Sequence, residues 1–554
     1  MVQPELIFHN GKVFTADAAA GRAEAMAVAG GTIVAVGSDL DVKSLAGPGT
    51  KMVDLGGGML LPGIVDVHNH HLRGGQADLY ELKLLPTMSF DAVLETVRAR
   101  CATTKPGEWV FGGIWGSQLV EMIGRASSLA ALDAVSGAHP VMLRDDSQHN
   151  RWVNSRALEL IGIDDGTRDP QDGQILRDAE TGAATGLLLE RASGLAEQAV
   201  ERSIPDIAER NKASCRRAVE ILNGFGVTAF QDATTTLPFL EALAALDRAN
   251  ELNGWCVASL PGQRTLSGAD LVGDALIMRR ETYRTRHVRP DFIKLFMDGV
   301  PTTRTAAMLT PYRATRLQGC CFCGDPLISI PDLVRWIAKA EKHRMRVKVH
   351  CTGDAAVRDT LDAIDVVRSF NGPGNGAGAT HQIAHAGFVA PADIPRFRAL
   401  DVAADLSPII WYPGPIQQAI RAAMPEDRAD CYWPLRDFRD AGALMAAGSD
   451  WPVVANPDPW LGIEGMITRR NPRGGYDGAL WPEQALDLET VLRIYTINAA
   501  RAMGLSDLTG SIEAGKSADF ILVDRDLFAT APERLSQTKV LSTWFEGRQV
   551  HEAG

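Results

Sequence analysis

Short apolar runs that end in a histidine, a lysine or an aspartate recur along this chain. The clearest is Leu60 to His71, LLPGIVDVHNHH, where apolar residues broken by Pro62-Gly63 lead into an Ile-Val-Asp-Val strand that closes on His68-Asn69-His70. Runs of this kind predict strands at 64–67, 227–231, 256–260, 292–297, 346–350, 382–385, 402–405 and 444–447. Between several of them the apolar spacing becomes helical, as in IPDLVRWIAKAEKHR and DAAVRDTLDAIDVVRSF. Strands alternating with helices imply a parallel sheet, and eight such units imply an α/β fold of (β/α)8 TIM-barrel type.

The two ends read differently. LIFHNGKVFT and EAMAVAGGTIVAVG are short β-rich runs joined at Asn10-Gly11 and Gly30-Gly31, dipeptides that favour hairpin turns. GSIEAGKSADFILVDRD and VLSTWFEGRQVH, near the other end, have the same character. Each set is too small for its own core, so the expectation is one composite β-sandwich built from both termini. The domain expectation is 1–60 and 507–554 for the sandwich and 61–506 for the barrel. Residues 72–222 are too long for one connection after the first strand and predict an inserted subdomain. It holds helical stretches and the polar segment RDDSQHNRWVNSRALELIG. NGPGNGAG, 371–378, reads as a surface connection.

Composition narrows the function classes. The chain has 554 residues, of which 45% are hydrophobic and 22% charged, an ordinary globular balance. A net charge of −12 argues against nucleic acid or an anionic membrane as partner, since both need a basic surface. No basic-then-apolar leader opens the sequence and no stretch nears the roughly 20 apolar residues of a membrane span, so a cytoplasmic location is expected. The eight cysteines are mostly scattered. Cys320-Cys321-Phe322-Cys323 lacks the spacing of a zinc site and reads as loop or packing cysteines.

His68 and His70 point the same way, because strand side chains alternate with period 2. Two imidazoles at a strand end suit a divalent metal such as zinc, although a pair of partly exposed strand histidines has the same pattern. Active sites of barrels lie at the carboxyl ends of the strands. There the fourth strand carries Lys294, the fifth ends in His350, the sixth in His385, and the eighth is followed by Asp450. Together these residues predict a metal site.

LPGIVDVHNH, FIKLFMDG, VKVHCTGDAAV, HQIAHAGFVAPADIPRF, AGSDWPV and GSIEAGKSADFILVD each resemble a block of the amidohydrolase superfamily, in family order. The resemblance is to the YtcJ-like, N-substituted formamide deformylase-like branch. It covers nearly the whole chain and is weakest across 72–222. It implies a metal-dependent hydrolase with one or two zinc ions, or another divalent metal. His68 and His70 match ligands of the more buried metal, and His350 and His385 those of the more exposed one. Asp450 matches the aspartate that is both ligand and general base. Lys294 matches the lysine carboxylated by carbon dioxide to bridge two metals; the alternative is an ammonium paired with Asp298 or Asp450 beside one metal.

Weaker candidates surround this set. His149 aligns loosely with a substrate-contacting block or is a surface residue. Asp298 and Arg304 either bind a polar substrate group or shape the loop after the fourth strand. Trp115 either lines a pocket or packs. His71 and His381 fall outside the matched pattern, and alternation turns Cys351 away from the site. Tryptophans and tyrosines in WGSQLV, IIWYPGP and DWPVVANPDPW hint at an apolar substituent on the substrate.

The expected activity is hydrolysis of an amide, N-acyl or N-formyl C–N bond in a small molecule by a metal-activated water. Lactone, carbamate or cyclic amide hydrolysis, or deamination, would use the same scaffold. An inactive barrel acting as a binding or regulatory protein is the non-enzyme alternative. Homo-oligomerisation is compatible with the sequence.

Overall fold

The computed structural model describes residues 3–145, 150–171, 173–263, 271–315, 318–371, 380–410 and 412–554. His149 and most of the 371–378 loop lie outside them. The chain forms two compact units. One comprises residues up to 71, 218–263 and 273–554; the other comprises 72–217 with the described part of 264–272.

The first unit contains the barrel. Its strands are β1 (Ile64–Asn69), β2 (Val227–Asp232), β3 (Trp255–Pro261), β4 (Val288–Phe296), β5 (Arg346–Cys351), β6 (His381–His385), β7 (Val402–Leu406) and β8 (Leu444–Ala447). They form one eight-stranded parallel sheet in sequence order. Backbone bonds just beyond β8 bring its end back to β1: Asp450 N–H donates to His68 O (2.7 Å) and His70 N–H to Trp451 O (2.8 Å). Each predicted strand is present. The runs are apolar on both faces because a parallel barrel is covered outside by helices and filled inside by side chains. Val65, Val67, Ala229, Val257, Phe292, Ala403 and Ala446 pack with Ala499, Ala500 and Met503 in one apolar core.

The connecting helices follow local signals. In Ile330–Lys342, Ser329 caps the first turn by accepting from Asp332 N–H, and proline occupies the opening turn. Leu333, Ile337 and Ala340 bury one face.

Strands from both chain ends share one six-stranded sheet, in the order Arg548–Glu552, Val540–Phe545, Phe520–Val523, Met59–Pro62, Lys12–Phe14, Arg22–Ala23. A four-stranded sheet of Thr32–Gly37, Ala25–Ala29, Leu6–His9 and Lys51–Asp54 packs on it. Phe8 meets Phe520 edge-on at 4.9 Å between ring centres. Gly30-Gly31 makes the expected hairpin, with both residues at positive φ. Asn10-Gly11 does not. The strands either side of it join different sheets, so this turn is a corner of the sandwich. A Cβ on Gly11 would sit 2.3 Å from Leu55 Cδ1, so a side chain there would displace the Leu55 methyl.

The second unit is more than helices and polar loop. Gly173–Arg177, Ala184–Glu190, Arg151–Val153, Val141–Asp145 and Val110–Trp115 form a five-stranded mixed sheet. Among its side chains Arg144 is forked onto Glu197 (2.7 and 3.0 Å) and reaches Glu81 (2.6 Å), and Arg151 also reaches Glu197 (2.6 Å).

No described helix is long and apolar enough to cross a membrane.

Candidate metal centre

Three ligand-type side chains converge where β1 and the segment after β8 meet. The ligand atoms of His68, His70 and Asp450 all lie within 4.8 Å of one another. Asp450 Oδ1 is 3.7 Å from His68 Nε2 and 3.5 Å from His70 Nε2. Local geometry brings them together. Gly448 lets the chain after β8 run against β1, because a Cβ there would lie 2.4 Å from His68 N. Asp66 accepts from His68 N–H (3.0 Å), Ser449 N–H (3.1 Å) and Ser449 Oγ (2.7 Å), tying the same two segments from below. Asp450 and His385 both have positive φ, +56° and +71°, uncommon for such residues and characteristic of functional sites.

His385 and His350 complete a row of imidazoles. Ring centres lie 4.8 Å apart for His68 and His385 and 4.5 Å for His350 and His385. Burial disfavours the imidazolium and lowers the pKa of His68 and His385 well below the ordinary value and that of His350 to about 4. Neutral imidazoles are the form a metal binds. Hydrogen bonds to second ring nitrogens fix which nitrogen carries the lone pair. His68 Nδ1 faces Asp405 Oδ2 at 2.8 Å, which leaves Nε2 toward Asp450. His350 Nε2–H donates to Gly299 O at 3.0 Å, which leaves Nδ1. His385 Nδ1 faces Ser407 Oγ at 3.2 Å.

Burial works against ionisation of Asp450, but bonding from His70 and the neighbouring His68 and His385 outweigh it and hold the carboxyl below the usual range. No lysine or arginine pairs with this buried carboxylate among the described residues. A buried carboxylate beside imidazole nitrogens and without a basic partner among the described residues is a donor set that fits a divalent metal.

Lys294 is 1% exposed on β4, directly opposite Lys348 on β5. The two differ. Lys348 Nζ donates to Asp405 Oδ2 and to Val67 O (3.0 Å). Lys294 has no carboxylate within ion-pair distance among the described residues; its amine lies over the Phe296 ring. Neither Asp298 nor Asp450 lies within ion-pair distance of Lys294 among the described residues. Burial, with Lys348 beside it, lowers the Lys294 pKa to about 7.

The remaining candidates are placed as follows. Asp298 is buried and accepts from the N–H groups of Ala307 (3.0 Å), Thr352 (3.0 Å) and Gly353 (2.8 Å), so it organises the loop after β4; burial raises its pKa to about 7. Arg304 donates to Arg313 O (2.6 Å) in that same loop. Trp115 is a core residue of the second unit, packed with Val93, Leu132 and Trp152. Trp451 and Trp460 are buried as well. His71 pairs with Asp232 (2.5 Å) and His381 with Glu341 (3.2 Å). Cys351 Sγ turns outward to Thr360 Oγ1. Cys320, Cys321 and Cys431 are exposed, and Cys323 is half-buried.

Sequence reasoning passed over Asp66, Lys348 and Asp405. A signal existed for the first two: each lies two residues before a candidate ligand, His68 or His350, and so shares its face of the strand.

The fold and site together are those of a (β/α)8 barrel with a cluster of metal-ligand-type side chains at its carboxyl rim. Residues 51–551 match the Amidohydrolase family, and the chain belongs to it. Its relatives include the N-substituted formamide deformylase of Arthrobacter pascens, 29% identical over 98% of this chain and 97% of that one. YtcJ of Bacillus subtilis strain 168 is 27% identical over 99% of each chain. Among solved structures, an uncharacterised metal-dependent hydrolase of Pyrococcus horikoshii OT3 superposes with a TM-score of 0.75 at 22% identity, covering 95% of this chain and 99% of that one.

Proposed function

We propose that this protein hydrolyses a C–N bond of amide, N-acyl or N-formyl type in a small molecule, at a divalent metal site held by His68, His70 and Asp450, with His350, His385 and Lys294 providing a second position. The carrying observation is the buried Asp450 carboxylate within 4.8 Å of two imidazole nitrogens and without a basic partner among the described residues. The bond type is supported by the similarity to the formamide deformylase over nearly the full length of both chains. Zinc is the ion the nitrogen-rich donor set suits best.

A divalent ion bound there supplies Lewis acidity, which brings the pKa of a water near neutrality and polarises a carbonyl. The chain supplies the proton transfers. Asp450 turns Oδ1 toward His68 and His70 and keeps Oδ2 to accept the proton of the attacking water. It then delivers that proton to the departing nitrogen, which leaves as a neutral amine. The Asp450 carboxyl is held below the usual range, so it is ionised at neutral pH and free to act as a base.

Lys294 is assigned a carbamate. A buried ammonium without a carboxylate is costly, and a neutral amine reacts with carbon dioxide to give an N-carboxylate and one proton. The product is an anion with two oxygen ligands at the rim of β4.

The test is product analysis on a panel of N-formyl and N-acyl amines, cyclic amides and amino-substituted heterocycles. Release of carboxylate and free amine in equal amounts by the wild type, lost in Asp450→Asn, is expected. Ammonia or a ring-opened acid as the only product would replace this reading with deamination or cyclic amide hydrolysis. No turnover of any class by metal-loaded protein would overturn it.

A further inference from the structure

Below the ligand cluster, a second charged group crosses the barrel interior. Asp405 Oδ2 accepts from His68 Nδ1–H at 2.8 Å and from Lys348 Nζ. Lys348 Nζ also donates to the carbonyl of Val67, the residue before His68, at 3.0 Å. Lys348 and Asp405 are both 0% exposed. They come from β5 and β7, and neither strand is a neighbour of β1 in the sheet. The contacts therefore run through the barrel rather than along its wall.

A buried ion pair is a weak device for stability, since desolvation cancels most of its attraction and apolar replacements are often neutral or better. This pair does something an apolar pair would not. Its anion faces one ring nitrogen of His68, so it fixes the tautomer and turns the other nitrogen toward Asp450. Its cation holds that carboxylate in place and anchors the backbone on which His68 stands.

We propose that Asp405 is a positioning residue for His68, held by Lys348, and that the pair sets the affinity of the metal site rather than the stability of the barrel. The inference rests on the metal reading above. A carboxylate behind a ligating histidine raises the basicity of the ligand and restricts its ring, and loss of such a partner typically lowers metal affinity about 10–100-fold.

The experiment uses the full chain, stripped of metal and titrated with zinc against a chromophoric chelator, and with cobalt to record the ligand-field spectrum. Thermal unfolding of the metal-free proteins is measured alongside. Asp405→Asn is expected to weaken zinc binding about 10–100-fold and to change the cobalt spectrum. The double variant Lys348→Met/Asp405→Leu, which fills the space with apolar atoms, is expected to unfold near the wild-type temperature and still bind zinc weakly. Wild-type zinc affinity and an unchanged cobalt spectrum in either variant would overturn the proposal. If the wild type itself binds neither ion, the metal reading fails first, and that outcome is distinct because it appears without any substitution.

Discussion

His70 Nε2 lies 3.5 Å from Asp450 Oδ1, although one residue follows the first barrel strand and the other follows the last. The contact exists because the sheet closes. Backbone bonds from Asp450 to His68 and from His70 to Trp451 lock the two segments together, and the carboxylate is carried into the imidazole row.

Replacing Asp450 by Asn should separate chemistry from folding. Asn tolerates the positive φ of this position, so the backbone has no reason to move. Turnover should fall by about 10²–10⁴, the usual worth of a positioned acid–base group, while the thermal midpoint stays close to the wild type. Steady-state kcat and a melting curve on the same preparation check both halves.

Lys294→Met should remove the carbamate without removing a salt bridge, because Lys294 makes none among the described residues. The expected outcome is a metal-free chain at least as stable as the wild type, with lower metal stoichiometry and no carbon signal from isotopically labelled bicarbonate. A wild-type chain that shows no such signal after reconstitution with metal and bicarbonate would count against carboxylation.

Stability should fall at alkaline pH through His287, far from the metal centre. Burial works against its charge, but bonds to Asp247 (2.5 Å) and contact with Glu546 (3.4 Å) win and raise its pKa to about 9 from 6.5. A histidine that holds its proton more tightly when folded contributes fully below about pH 6.5 and loses that contribution as pH rises through about 9. Urea unfolding at several pH values should show this slope in the wild type and a flatter one in His287→Gln.

Within the second unit, Glu197 accepts from two buried arginines, Arg144 and Arg151. Glu197→Ala leaves those charges without it and should cost about 3–5 kcal/mol. Equilibrium unfolding of the variant against the wild type measures it.

The barrel was legible in the sequence because its strands are short apolar runs, several of them closing on a polar residue, and strands buried on both faces advertise themselves that way. His68, His70, Lys294, His350, His385 and Asp450 were visible as those stops or near them. Asp405 was not, since a lone aspartate ending an apolar run says nothing about His68, its partner from the other end of the chain. The sheet of the second unit was hidden for a different reason. Gly112 and Gly113, both at positive φ, interrupt Val110–Trp115, and Arg151–Val153 is too short to show a period. The Asn10-Gly11 turn misled because a dipeptide encodes a reversal, not which sheet the next strand joins.

Metal content per chain tests the central claim most directly. Elemental analysis of protein purified without chelator, beside His68→Ala and Asp450→Ala, should find zinc or a similar ion bound to the wild type, two equivalents if Lys294 is carboxylated, and clearly less in both variants. A wild type that binds no ion, even after metal and bicarbonate are supplied, would contradict the account.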